Sequence, residues 1–104
     1  MAKYEIRICN LRNQRPVEPW QVKVDRTSIL GNPFYMSGES QRAAVCDKYA
    51  EYFEKKFRED EAFKNELRRL YRILKHYGKL ELFCWCAPRR CHAETIKAFL
   101  EKYI

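Results

Sequence analysis

Leu80-Glu81-Leu82-Phe83-Cys84-Trp85-Cys86, followed by Ala87-Pro88-Arg89-Arg90-Cys91-His92, is the stretch on which the fold turns. Its first seven residues are apolar at nearly every position, as in a central strand buried on both faces. Pro88 cannot extend a sheet ladder, so the strand ends before it. From His92 to Tyr103 the period changes, and Ile96, Phe99, Leu100 and Tyr103 fall on one face of a helix. A buried strand leading into a helix points to an α/β layer structure.

Upstream, Gly78 is a natural helix stop. The helix before it carries an apolar stripe of Phe63, Leu67, Leu70, Tyr71, Leu74 and Tyr77, and Asp60 is placed to cap its start. Val45, Tyr49, Tyr52, Phe53 and Phe57 give another helical face, in a helix beginning near Glu39. Lys3–Cys9 and Trp20–Asp25 alternate apolar and polar residues, the pattern of half-buried strands. Asn10–Pro19 and Thr27–Gly38 are rich in turn residues and are expected to be loops. The order β-β-α-α-β-α predicts an α/β fold: a single domain over residues 1–104, a small Rossmann-like sandwich of a short three-stranded mixed sheet with about three helices.

The composition suits that reading. The 104 residues are 46% hydrophobic and 14% aromatic, too apolar for a disordered chain. The longest uncharged apolar run is Leu82–Pro88, too short to span a bilayer. The first residues, Met1-Ala2-Lys3-Tyr4-Glu5, contain no apolar leader core, so a cytoplasmic location is expected. The five cysteines are odd in number, and three crowd into Cys84–Cys91, unlike a secreted disulfide framework. In a reducing compartment they are thiols, ligands or reactive centres. With 21 Lys and Arg against 14 Asp and Glu, the charge of +7 favours polyanionic partners, whether nucleic acid, nucleotides or an anionic surface; with no run long enough to span a bilayer, no membrane partner is expected.

Two constellations carry chemistry. The first is Cys84–His92, where a strand ends and a helix begins. Open α/β sheets bind ligands at the carboxyl ends of their strands, and the exposed N–H groups and positive dipole of a helix start suit a phosphate or carboxylate. Arg89 and Arg90 add charge there. A helix N-terminus with nearby arginines lowers a thiol pKa, which makes Cys91 the candidate nucleophile, with His92 beside it. Cys84 and Arg90 also stand at the C-x5-R spacing of cysteine-dependent phosphatases, but the loop has no glycine, and Pro88 has no N–H to give. Cys84, Cys86, Cys91 and His92 could serve as zinc ligands. Alternate strand residues lie about 6.8 Å apart, whereas two sulfurs on one zinc lie about 3.8 Å apart. No metal or other cofactor is therefore expected, and Cys84 and Cys86 read as core residues.

The second constellation is Arg26 with Gly31-Asn32-Pro33-Phe34. Gly31 permits close backbone approach, Asn32 can donate and accept, Pro33 fixes the turn, and Phe34 can staple it to the core. The same residues would also make an ordinary structural turn. Away from both motifs, Lys64, Arg68, Arg72 and Lys75 form a basic helical stripe able to follow a nucleic-acid backbone. No aromatic residue interleaves with it on that helical face, so any binding there is expected to ignore sequence. The plainer reading is a solvated helix face.

Together, Val24-x-Arg26, Gly31-Asn32-Pro33-Phe34, an alanine-rich helix with Tyr49, Gly78-Lys79-Leu80 and Cys84-Trp85-Cys86-x-Pro88-x-x-Cys91-His92 resemble a family of small bacterial and phage proteins, domain of unknown function 4326. The resemblance runs over roughly residues 4 to 100. Ala93 departs from the usual glycine, and Lys55–Lys64 is an unusually long charged stretch; neither touches the motifs. The resemblance implies that Arg26, Asn32, Cys91 and His92 converge on one site, and it supplies no reaction.

The expected function is binding of a phosphate-bearing ligand, a nucleotide or nucleic acid, with Arg26, Gly31, Asn32, Pro33, Phe34, Arg89 and Arg90 forming the anion site. If the ligand reacts, Cys91 or His92 would be nucleophile or general acid/base. The alternative is a phage or bacterial interaction module acting on a host protein, its Cys/His cluster structural or zinc-binding.

Overall fold

The computed structural model describes residues 4–34, 38–85 and 91–103. Three strands, β1 (Glu5–Asn10), β2 (Gln21–Lys23) and β3 (Lys79–Cys84), form one sheet in the order β1-β3-β2. Helices α1 (Arg42–Glu59) and α2 (Glu61–Tyr77) lie between β2 and β3 in the chain, and α3 (Ala93–Glu101) follows β3. The α/β class and the β-β-α-α-β-α order hold. Where a mixed sheet was expected, β3 pairs in parallel with both neighbours, Ile6 opposite Leu80 on one side and Val22 opposite Leu82 on the other. The reason lies in the connections. The α1–α2 pair carries the chain back across the sheet after β2, as a parallel crossover requires.

Side chains of Ile6, Val22, Leu80, Leu82 and Cys84 join one core cluster with Phe53, Phe63, Leu70, Leu74, Ile96 and Leu100 of the three helices. In register with them, Glu5, Arg7, Gln21 and Glu81 project to the opposite face, where Gln21 Nε2 donates to Glu81 Oε1 at 2.7 Å. β3 is thus central without being apolar on both faces. Phe83 is fully buried, but its neighbour Glu81 is only half-buried.

The helix signals work as local chemistry predicts. Asp60 Oδ1 accepts from Phe63 N at 3.2 Å and starts α2. Gly78 ends it at φ 75°, the left-handed conformation that glycine adopts without a Cβ clash, and its N–H bonds Leu74 O. α1 begins three residues later than expected, after a 3-10 turn over Glu39–Gln41. Tyr77 and Tyr103, expected inward, sit at the helix ends beyond the core, 40% and 54% exposed.

Candidate functional site

The carboxyl ends of β2 and β3 meet Cys91 and His92, which stand just before α3. Between them lies a cavity of about 460 Å³ lined by Asp25, Arg26, Asn32, Phe34, Trp85, Cys91 and His92, with Arg42, Val45 and Cys46 from the start of α1. The described residues of the two motifs therefore line one cavity. Cys86, Pro88, Arg89 and Arg90 lie outside the described residues.

The Gly31–Phe34 loop is held from several directions. Arg26 Nε donates to Asn32 O at 3.0 Å and Nη2 to Phe34 O at 2.9 Å. Asn32 Oδ1 accepts from Phe34 N at 2.9 Å. Arg26 thus shapes the loop as well as bringing charge to the cavity, which joins the turn reading and the site reading. A Cβ on Gly31 would stand 2.4 Å from Asp25 O and 2.6 Å from Arg26 Cα, so only glycine lets the loop pass. Phe34 meets Tyr52 edge-on at 5.8 Å, the staple expected of it. Tyr49 Oη donates to Leu30 O at 2.7 Å from a fully buried position. Burial pushes its hydroxyl pKa far up, with Tyr52 and Cys91 adding to this, so Tyr49 is a fixed donor.

On the opposite wall, His92 is buried against Tyr49, with ring centroids 5.1 Å apart, and its Nε2–H donates to Val24 O. Burial lowers its pKa and Arg26 pushes the same way, against the Val24 bond and the charge of Asp25. The unfolded chain therefore takes up this proton before the native state does as pH falls. Stability is expected to drop as pH falls below about 6.5. Urea unfolding at several pH values checks this: His92→Gln should flatten the acid limb, and an unchanged limb would contradict it. The chain's other histidine, His76, is exposed.

Cys91 is buried, and its Sγ lies 3.1 Å from Cys84 Sγ, a thiol pair joining the end of β3 to the start of α3. Cys84 belongs to the core cluster, as its composition suggested. Glu94 caps the turn by accepting from Cys91 N at 3.2 Å. Among the described residues, no three His, Cys, Asp or Glu side chains are grouped to hold a metal.

Sequence reading missed Asp25, Arg42 and Trp85. Burial pushes Asp25 up, but bonds from the Thr27 hydroxyl and N–H and from the Trp85 indole, with the charge of Lys23, outweigh it and leave the pKa lowered. Trp85 Nε1 reaches Asp25 Oδ2 at 3.1 Å while the residue stays 53% exposed. An Asp closing the alternating Trp20–Asp25 segment was the available signal for Asp25, while nothing local marked its indole partner. Arg42 bonds Glu39 through Nε at 2.7 Å and Nη2 at 2.8 Å.

A family model described as a domain of unknown function (DUF4326) matches residues 9–102. The chain belongs to this family. No curated protein and no solved structure matches it. The DUF4326 match runs from β1 through the end of α3 and so includes every residue lining the cavity. Among the described residues, no helix of this DUF4326 domain is long and apolar enough to cross a membrane.

The basic stripe lies away from this cavity in the DUF4326 domain, with no lining residue in common. Lys64, Arg68 and Arg72 line a groove of about 650 Å³ with Phe57, Tyr71, Phe99 and Tyr103. Lys75 is not part of that lining, but its Nζ lies 4.5 Å from the Tyr4 ring centroid and 5.8 Å from that of Tyr71, at the groove's edge. The expectation of no interleaved aromatic concerned the stripe's own helical face, and rings from other elements stand beside it. α1 and α3 supply rings that α2 alone does not show.

Proposed function

We propose that the cavity binds a small phosphate-bearing ligand, with a nucleotide as the best chemical fit. The observation carrying this is the convergence of Arg26, Arg42 and the start of α3 at the carboxyl edge of a parallel sheet. Ligands with phosphates favour such an edge, because the guanidiniums and the helix dipole act together on one anion. The volume of about 460 Å³ lies within the range of small-molecule sites. Phe34 and Trp85 offer a planar ligand group apolar contact beside the charged wall. Cys91 and His92 are the candidate reacting groups. His92 would act through Nδ1, since its Nε2–H is committed to Val24.

Phosphate, sulfate and ADP are expected to raise the melting temperature more than chloride at equal ionic strength. At about ten times Kd the gain is about 1.4 kcal/mol, or roughly 6–10 °C for a domain this size. Sulfate also stabilises proteins by exclusion from their surfaces, so variants decide the matter. Arg42→Ala should remove most of the ligand-specific shift. Arg26→Ala should remove it as well, and it also loosens the Gly31–Phe34 loop. An unchanged response in both variants would end this reading.

A further inference from the structure

We infer that the groove between α2 and α3 docks an acidic amphipathic segment of a partner protein. The groove is separate from the cavity at the sheet edge, and the two linings share no residue. α1 contributes Cys46 to the cavity and Phe57 to the groove, and eleven helical residues place them about 16 Å apart along the axis.

The floor is apolar and continuous. Phe57 and Phe99 rings lie 4.8 Å apart, Phe99 and Tyr103 5.1 Å, and Tyr71 and Tyr103 6.4 Å. Tyr71 Oη donates to Tyr103 O at 2.9 Å and ties α2 to the end of α3. Leu67 and Leu100 complete the floor. The rings meet one another edge-on or tilted, at 56° to 84°. Rings packed in this way form a shared surface for aliphatic and aromatic anchors, whereas single-stranded nucleic acid needs separate ring faces on which successive bases stack.

The rim is basic. Arg58, Lys64, Arg68 and Arg72 surround the floor. Among the described residues, Glu61 is the carboxylate that pairs with two of them, Lys64 at 4.0 Å and Arg68 at 3.2 Å, and because Glu61 itself is exposed a competing carboxylate displaces it at little cost. Among the described residues, no carboxylate pairs with Arg58 or Arg72. A floor of large apolar side chains inside a ring of cations is complementary to a helix with apolar residues at i, i+3, i+4 and i+7 and carboxylates on its flanks. Charge selects the partner and speeds its approach, while the floor supplies the contact area.

The test uses a fluorescein-labelled peptide of about 16 residues, long enough for a marginal helix, with Leu and Phe at those positions and Glu elsewhere. A scrambled peptide of the same composition and an oligothymidylate strand are the controls. Saturable binding in the micromolar range, at least tenfold tighter than the scrambled peptide, supports the inference. The double variant Arg58→Glu/Arg72→Glu should weaken it at least tenfold. Tyr103→Ala, at a position 54% exposed, should weaken it without a change in fold. Amide shifts should cluster on the end of α1, on α2 and on the end of α3. Equal binding of the scrambled peptide, preference for the oligothymidylate at this surface, indifference to the charge reversal, or no saturation up to about 1 mM would each overturn it.

Discussion

Phe53→Ala should bring the domain to the edge of unfolding. Phe53 is 1% exposed, and its ring lies 5.3 Å from Phe63, 5.1 Å from Phe99 and 6.1 Å from Tyr49. Its ring packs α1 against both α2 and α3. Truncation removes the transfer energy of the ring and leaves a cavity that three rigid aromatics cannot close, a loss of about 4 kcal/mol. A domain of this length has roughly 5–15 kcal/mol in total. Urea unfolding should show the midpoint falling by about a quarter or more of its value. Phe53→Leu, which refills most of the volume, should recover over half of the loss. A loss below about 1.5 kcal/mol for Phe53→Ala would mean that the helix layer repacks around the gap.

Gly31→Ala should cost nearly as much for a different reason. The added Cβ would meet the backbone of Asp25 and Arg26 at 2.4 to 2.9 Å. No flexible side-chain end can give way there, so the Gly31–Phe34 loop must lift from the strand end. Overpacking of this kind costs about 3 kcal/mol, or a fall in melting temperature of roughly 12–20 °C. The lifted loop would also separate Leu30 O from Tyr49 Oη, and the Arg26 bonds to Asn32 and Phe34 would lengthen. Ligand-specific stabilisation should therefore vanish along with thermal stability. A Gly31→Ala protein melting within about 2 °C of the parent would show that the loop yields without cost.

The candidate site was legible in part. Arg26, Asn32, Cys91 and His92 line one cavity, as the family resemblance implied, and Phe34 lines it with them. The role of Arg26 was only half visible. Sequence marks it as a cation near a strand end, whereas its bonds to two backbone carbonyls depend on how the loop folds back. Asp25 and Trp85 are sixty residues apart and become partners because β2 and β3 are neighbours. Arg42 enters the site only because α1 begins over the strand ends.

By itself, the sequence determined the elements and most of their limits: the Asp60 start and Gly78 stop of α2, the apolar run of β3, and the single inward stripe of each helix. These features are encoded within a turn or two of chain, by caps, φ preferences and side-chain period, and so they survive without knowledge of neighbours. Tertiary structure alone decided the parallel order β1-β3-β2, the Asp25–Trp85 bond and the aromatic floor beside the Lys64–Arg72 stripe. Each of those joins residues distant in sequence, and a helical stripe on α2 cannot show which rings α1 and α3 will set beside it. The physical reason is that packing brings such groups together by burying whole faces at once, which no local preference of a single segment records.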